Sequence, residues 1–410
     1  MHKRYAMRSY ALGAATARTG DEMSGPALLL AGLAATGSAS HGSALLAGMT
    51  VSAAAGGPLF GVLLDRSAHP GRLLAGALAG YAAALASVLL SLGRTPFTCS
   101  VAIAVLAGLL GPALAGGWTS QLPRVATPEA LPRANAFDAM TFNVASLAGP
   151  ALAGTVAGLA GAPAGVAVAV ALICLALPSA WTLPPVPRPA SAAPAASVLT
   201  GLAAGFRAVV RTAALARATA ASVVSCLGEG MLVACSPLLG AQVLGGAGRG
   251  ALLLSVVAAS ALAANAVLSR YPRLLRPDTV LWCSPLILAV ALLLAATGRT
   301  VPLIAAMVLA GVGEGPQLTA LFAVRHREAP EGLRGQIFTT GASLKITGFA
   351  VGAGLAGPIA GWSLTGALMT AAGTEVLAAL AFAAVGLSRS ASPSPSPSSA
   401  PAPVPDSSGR

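Results

Sequence analysis

The chain has 410 residues, of which 56% are apolar, 9% charged and 4% aromatic, and its formal charge is +12. A soluble domain carries about 25% charged residues, so this composition excludes an ordinary water-soluble globule. The arginines are scattered between apolar stretches rather than gathered on one face, as phosphate binding requires; no nucleic-acid partner is indicated, and the bilayer is the expected solvent.

Met1 to Ala17 has basic residues followed by small ones, but its apolar part is weak and charges follow, so it reads as retained rather than as a cleaved signal. Apolar windows between turn signals then predict twelve spans, an all-α membrane protein. The first six are Tyr10 to Ala35, Ser43 to Leu64, Leu73 to Leu92, Phe97 to Trp118, Ala134 to Leu159 and Pro163 to Trp181. The second six are Ala218 to Leu239, Gly250 to Leu268, Val280 to Thr297, Val301 to Val324, Gly335 to Gly357 and Trp362 to Leu387.

The implied domains are a bundle over 1–181, a linker over 182–217, a second bundle over 218–387 and a tail over 388–410. Pro, Ala and Ser fill Thr182 to Ser197, which cannot span a membrane. Leu199, Leu202, Phe206, Val209 and Val210 follow at helical spacing, reading either as a short helix along the membrane surface or as an early start to span seven. The tail is low-complexity Ser/Pro/Ala and is expected to be disordered.

With twelve spans both termini share a side. That side holds nineteen of the 24 basic residues, against Arg94, Arg249 and Arg299 opposite, with Arg18 and Lys345 inside spans. The positive-inside rule places both termini in the cytoplasm of a cell whose inner (plasma) membrane holds the protein. The five cysteines stand in apolar stretches without CxxC spacing, so neither disulfide framework nor zinc site is expected, and no cofactor is implied.

The chain repeats itself. Gly20-Asp21 precedes Gly42 as Gly228-Glu229 precedes Gly250, and Gly149-Pro150 matches Gly357-Pro358, all at an offset of 208 residues. Gly111-Pro112 matches Gly315-Pro316 at 204. Two six-span halves of the same orientation are related by an axis along the membrane normal, with a cavity between them. The pairs Gly57/Gly61, Gly76/Gly80, Gly154/Gly158 and Gly357/Gly361 have small-xxx-small spacing and are expected at close helix contacts.

The segment Gly61-Val-Leu-Leu-Asp65-Arg66-Ser-Ala-His-Pro-Gly71-Arg72 resembles the cytoplasmic signature of the major facilitator superfamily. Asp65 could accept backbone N–H groups at a helix start and pair with arginine, holding helix ends together in one conformational state. Gly149-Pro150-Ala-Leu-Ala-Gly154 is similar to the GPxxGG motif of that superfamily's antiporters. Arg133-Ala-Asn-Ala and Arg18-Thr-Gly-Asp21 resemble its siderophore and macrolide exporters. The resemblance implies two six-helix bundles and export of a small molecule.

Asp21, Glu22, Asp138, Glu229, Glu314 and Glu375 fall within spans, with Arg18 and Lys345 as the embedded cations. At bilayer centre each charge costs about 2.5 to 3.5 kcal/mol, so they must pair, face a watery cavity or carry protons. A carboxyl group taken out of water favours its neutral form, making Asp21, Glu22, Glu229 and Glu314 proton-site candidates and Glu229 the foremost. Arg18, one turn away, is expected to pair with Asp21 and Glu22; Lys345 could partner Glu314, Glu375 or an anionic substrate. Asn143, Gln317, Asn265 and Trp118 are candidates for substrate contact or for bonds between helices, and all four histidines are placed outside spans.

The leading expectation is a monomeric, proton-coupled exporter of a small, mostly hydrophobic compound working by rocking of two halves. A uniporter or importer of a polar metabolite is the alternative within transport, and a non-transporting sensor lies outside it. Without HExxH, GxSxG or P-loop, a membrane enzyme is disfavoured.

Overall fold

A computed structural model describes residues 2–186, 197–246 and 249–390. The long helices are α1 (His2–Thr36), α2 (Ala39–Arg66), α3 (Pro70–Ser91) and α4 (Phe97–Gly108), the last continued through a π-helical turn at Ala113–Gly117 and the short α5 (Leu122–Val125). They are followed by α6 (Leu131–Ala160), α7 (Ala162–Trp181), α8 (Val198–Arg211), α9 (Ala213–Leu244) and α10 (Gly250–Arg270). The chain closes with α11 (Pro277–Ala295), α12 (Thr300–Glu328), α13 (Arg334–Trp362) and α14 (Leu364–Ser390). Eleven are long and apolar enough to cross a membrane. The twelfth spanning element is α1, whose 35 residues carry Arg18, Asp21 and Glu22 in mid-helix, and which packs along α6 and α7.

Glycines with positive φ, such as Gly161 at 87° and Gly245 at 79°, stop helices at one end of the bundle. The opposite end carries the longer connections and Asp65. There α8 is a separate amphipathic helix, broken from α9 at the extended Thr212, so span seven does not start early. Its Leu199 and Phe206 are exposed while Val209 is buried. The remainder of the linker (187–196) and the tail from 391 lie outside the described residues.

The repeat is visible in packing. A Cβ on Gly108 of α4 would strike the Met49 carbonyl and Ser52 hydroxyl of α2, and one on Gly311 of α12 would strike the Val257 carbonyl and Ser260 hydroxyl of α10. Ser52 and Ser260 each bond back to their own helix, at Gly48 and Met49 and at Val256 and Val257. The same helix crossing thus occurs once in each half.

Three of the four small-xxx-small pairs do not make close helix contacts. Gly76, Gly154, Gly158, Gly357 and Gly361 face open space, and Gly80 meets only the tip of Leu110. Gly57 and Gly61 are the exception. They pack against α13 of the other half, over Thr339, Ser343 and Gln336, where a side chain would hold the halves apart.

Candidate functional site

Every side-chain hydrogen bond that joins the two halves among the described residues lies between mid-helix and the Asp65 end. Asp65 belongs to the last turn of α2, where it accepts the N–H groups of Gly335 and Gln336 at the start of α13, at 2.6 and 2.8 Å. These are amides that a helix start leaves without internal partners. Beside it, burial and the neighbouring Arg334 guanidinium hold the Arg124 pKa below the ordinary arginine value, Asp65 acting the other way. Arg66 donates to the Ser197 carbonyl at 2.7 Å, Gly71 lets α3 approach the end of α7, and Arg72 lies 5.4 Å from the Trp181 ring.

Deeper in, Gly57 N–H meets the Ser343 hydroxyl at 3.1 Å, and Asn265 donates to Asn143 at 2.8 Å while accepting from Thr319 at 2.7 Å. Gln317 donates to Ser225 at 3.1 Å, and Trp118 is buried against Tyr10. In this conformation all four candidate polar residues serve contacts between helices.

Two buried residues near this closure were not expected inside a spanning helix. The helix α12 continues to Glu328, past the expected Val324, so Arg325 and His326 are buried, at 2% and 5% exposure. The ring of His326 meets Asn135 Oδ1 at 2.9 Å and the Thr119 carbonyl at 3.1 Å, and stacks on Phe338. His41 likewise lies inside α2. Hydropathy ended the span at Val324 because charged residues follow; a helix end covered by the other half does not obey that rule. A clue was present, since Asn135 and His326 both flank loops of matching position in the repeat.

Arg18 does not pair with Asp21 or Glu22. Its guanidinium meets Asp138 at 2.8 Å and Thr119 at 2.8 Å, contacts Thr141, and lies 3.7 Å from the centre of the Phe142 ring. Asp138 also receives Tyr10 and Thr119 hydroxyls, each at 2.8 Å. Arg18 and Asp138 therefore form a closed structural knot in the first half. Asp21 is bound instead by the Tyr81 hydroxyl at 2.6 Å.

The remaining charges meet at mid-depth. Glu22 on α1 is exposed and within electrostatic range of Glu314 on α12 of the other half. Gly149, just before Pro150 of α6, provides the room for the Glu22 side chain; Gly154 faces open space. Glu229 on α9, Glu314 and Lys345 on α13 are half-buried, and Lys345 acts electrostatically on both acids. Glu375 on α14 is fully buried beside them. A cavity of about 70 Å³ within the second half is lined by Glu229, Glu314 and Glu375 among aliphatic residues and Phe349. The arrangement offers an acidic cluster, a single lysine and an apolar wall, suited to exchanging protons or cations across a low-dielectric interior.

A family model for the Major Facilitator Superfamily matches residues 10–338. An uncharacterized MFS-type transporter, y4rN of Sinorhizobium fredii (strain NBRC 101917 / NGR234), is 28% identical over 350 residues, covering 83% of each chain. Among solved structures, the human organic anion transporter MFSD10 (TETRAN) superposes with a TM-score of 0.74 at 18% identity, over 93% of this chain and 99% of that one. A bacterial homologue of the iron transporter ferroportin in an outward-facing state gives 0.73 at 15% identity, with the same coverage.

Proposed function

The chain belongs to the major facilitator superfamily, and on that premise we propose that this transporter exports a small, mostly hydrophobic compound by proton-coupled alternating access. One observation carries the reading: carboxylates from both halves, Glu22 and Glu314, act on one another electrostatically at mid-helix, while among the described residues the hydrogen bonds between the halves run only from mid-helix towards the Asp65 end. Ionisable groups at that depth are costly unless they serve a pathway. The arginine excess supports the Asp65 end, and with it both chain termini, lying in the cytoplasm and the protein lying in the plasma membrane. On that orientation the crevice faces outwards in this conformation.

Glu229 and Glu314 exchange the protons, with Lys345 as their counter-charge; Asp21 is tuned by Tyr81, and the Arg18–Asp138 knot keeps α1 rigid. The contact of Gly149 with Glu22, in the GPxxGG-like stretch, and the resemblance to siderophore and macrolide exporters support export over uptake. Few embedded polar groups speak against sugars, whose hydroxyls need many partners.

The test is flux. Purified protein in proteoliposomes, assayed with a panel of lipophilic fluorescent compounds, should accumulate at least one of them when a proton gradient is imposed and lose it when the gradient collapses. Accumulation that ignores the gradient removes proton coupling; no flux of any kind favours a sensor.

A further inference from the structure

Within the acidic cavity Glu375 differs from its companions. It is 0% exposed, whereas Glu229 and Glu314 are half-buried. Its Oε2 accepts the Ser225 hydroxyl at 2.7 Å, and Ser225 is itself held by Gln317 at 3.1 Å. Its Oε1 is buried without a hydrogen-bond partner, and the residue lines the cavity. The charges acting on it are those of Glu229 and Glu314, both acidic. Lys345 acts on those two acids from α13, and α10 and α11 contribute only aliphatic side chains to the wall.

A carboxylate oxygen in such surroundings requires a positive partner, because burying an unpaired charge costs several kcal/mol. Neither Ser225 nor Gln317 supplies one, and the cavity supplies the room. At about 70 Å³ it admits a few water-sized groups, which is too little for the transported compound itself. A divalent ion draws several oxygen ligands together, and among the described residues no three acidic, histidine or cysteine side chains are placed to hold a metal.

We infer that this cavity is a site for a small monovalent cation, a proton or a sodium ion, with Glu375 Oε1 as its inner ligand. Glu229 and Glu314 form the passage from the crevice, and Ser225 with Gln317 fixes Oε2 so that Oε1 is presented to the cavity. Its role as the coupling site rests on the transport reading above; the existence of the site does not.

Infrared difference spectra of the full-length protein in lipid read the site directly. A pH step in sodium-free medium should change the C=O bands of the titrating carboxyls, and one of these bands should be abolished by Glu375→Gln and retained in Glu229→Gln. Ser225→Ala should shift the band without removing it, which also serves if the Glu375 variant does not fold. Sodium added at fixed pH identifies the occupant: displacement of the band means that sodium competes for the site, and no change means that it takes protons alone. Spectra of Glu375→Gln that match the parent protein's in both steps, or an unshifted band in Ser225→Ala, overturn the site. A Glu375 band with no gradient-driven flux leaves the site standing and removes the transport reading. Undiminished gradient-driven flux in Glu375→Gln overturns the coupling role alone.

Discussion

Asp138 of α6 holds Arg18 of α1 at 2.8 Å with both side chains almost wholly buried. Removing one member of such a pair strands the other charge in a dry interior, at a cost of about 3–5 kcal/mol. Asp138→Asn should therefore lower the melting temperature of the purified protein markedly. The double variant Arg18→Met/Asp138→Leu should recover much of the loss, because two apolar side chains leave no orphaned charge. Thermal unfolding of the parent, Arg18→Met, Asp138→Leu and the double variant in one detergent closes the cycle, and strict additivity would contradict a coupled pair.

Glycine substitutions should sort by what faces them. At Gly108 and Gly311 an added methyl meets backbone carbonyls of the crossing helix, so Gly108→Ala and Gly311→Ala should each destabilise, to a similar degree, since the repeat makes the two sites alike. At Gly154 and Gly357 nothing lies within reach. There alanine should be neutral or gain the roughly 0.5–1 kcal/mol by which it exceeds glycine in a helix. Melting temperatures of the four single variants decide the matter.

This contrast marks how far the sequence could be read. Helix number and the duplication were legible because both rest on local pattern: twenty-residue apolar windows, and GD/GE and GP pairs at a nearly constant offset. Asp65 was readable as an acceptor for a helix start, but not that the start belongs to α13, some 270 residues on. Arg18 lies one turn from Asp21 and Glu22, and that spacing suggested a local pair; Asp138 wins because α6 crosses α1 there and Thr119, Thr141 and Phe142 complete the shell. Embedded Glu375 was visible as a charge in a span, while its isolation from any cation depends on which helices surround it.

His326 should act as a latch at the Asp65 end. His326→Phe keeps a ring beside Phe338 but gives up the contacts to Asn135 and the Thr119 carbonyl, at a typical net cost of about 0.5–1.5 kcal/mol each. If opening breaks both, the variant should raise the open population by roughly tenfold. A cysteine at Thr339 of α13, which is buried against Gly57 and Gly61 of α2, in a background lacking the five native cysteines, should then be alkylated correspondingly faster. An unchanged alkylation rate would show that the histidine contacts are incidental to closure.

Asn143 and Asn265 offer the sharpest test of rocking, because they touch across the halves at 2.8 Å and lie on α6 and α10, the second extensive contact between the bundles after that of α2 with α13. Cysteines at both positions, in the same cysteine-free background, should be joined readily by an oxidant or a short thiol cross-linker. The joined protein can no longer part at the Asp65 end, yet its crevice remains accessible from the other side. Compound binding from that side should persist, flux should stop, and a reducing agent should restore it. A protein that carries its cargo without separating the bundles would give the same cross-link and keep its flux, so comparing flux before and after reduction separates alternating access from a static pore.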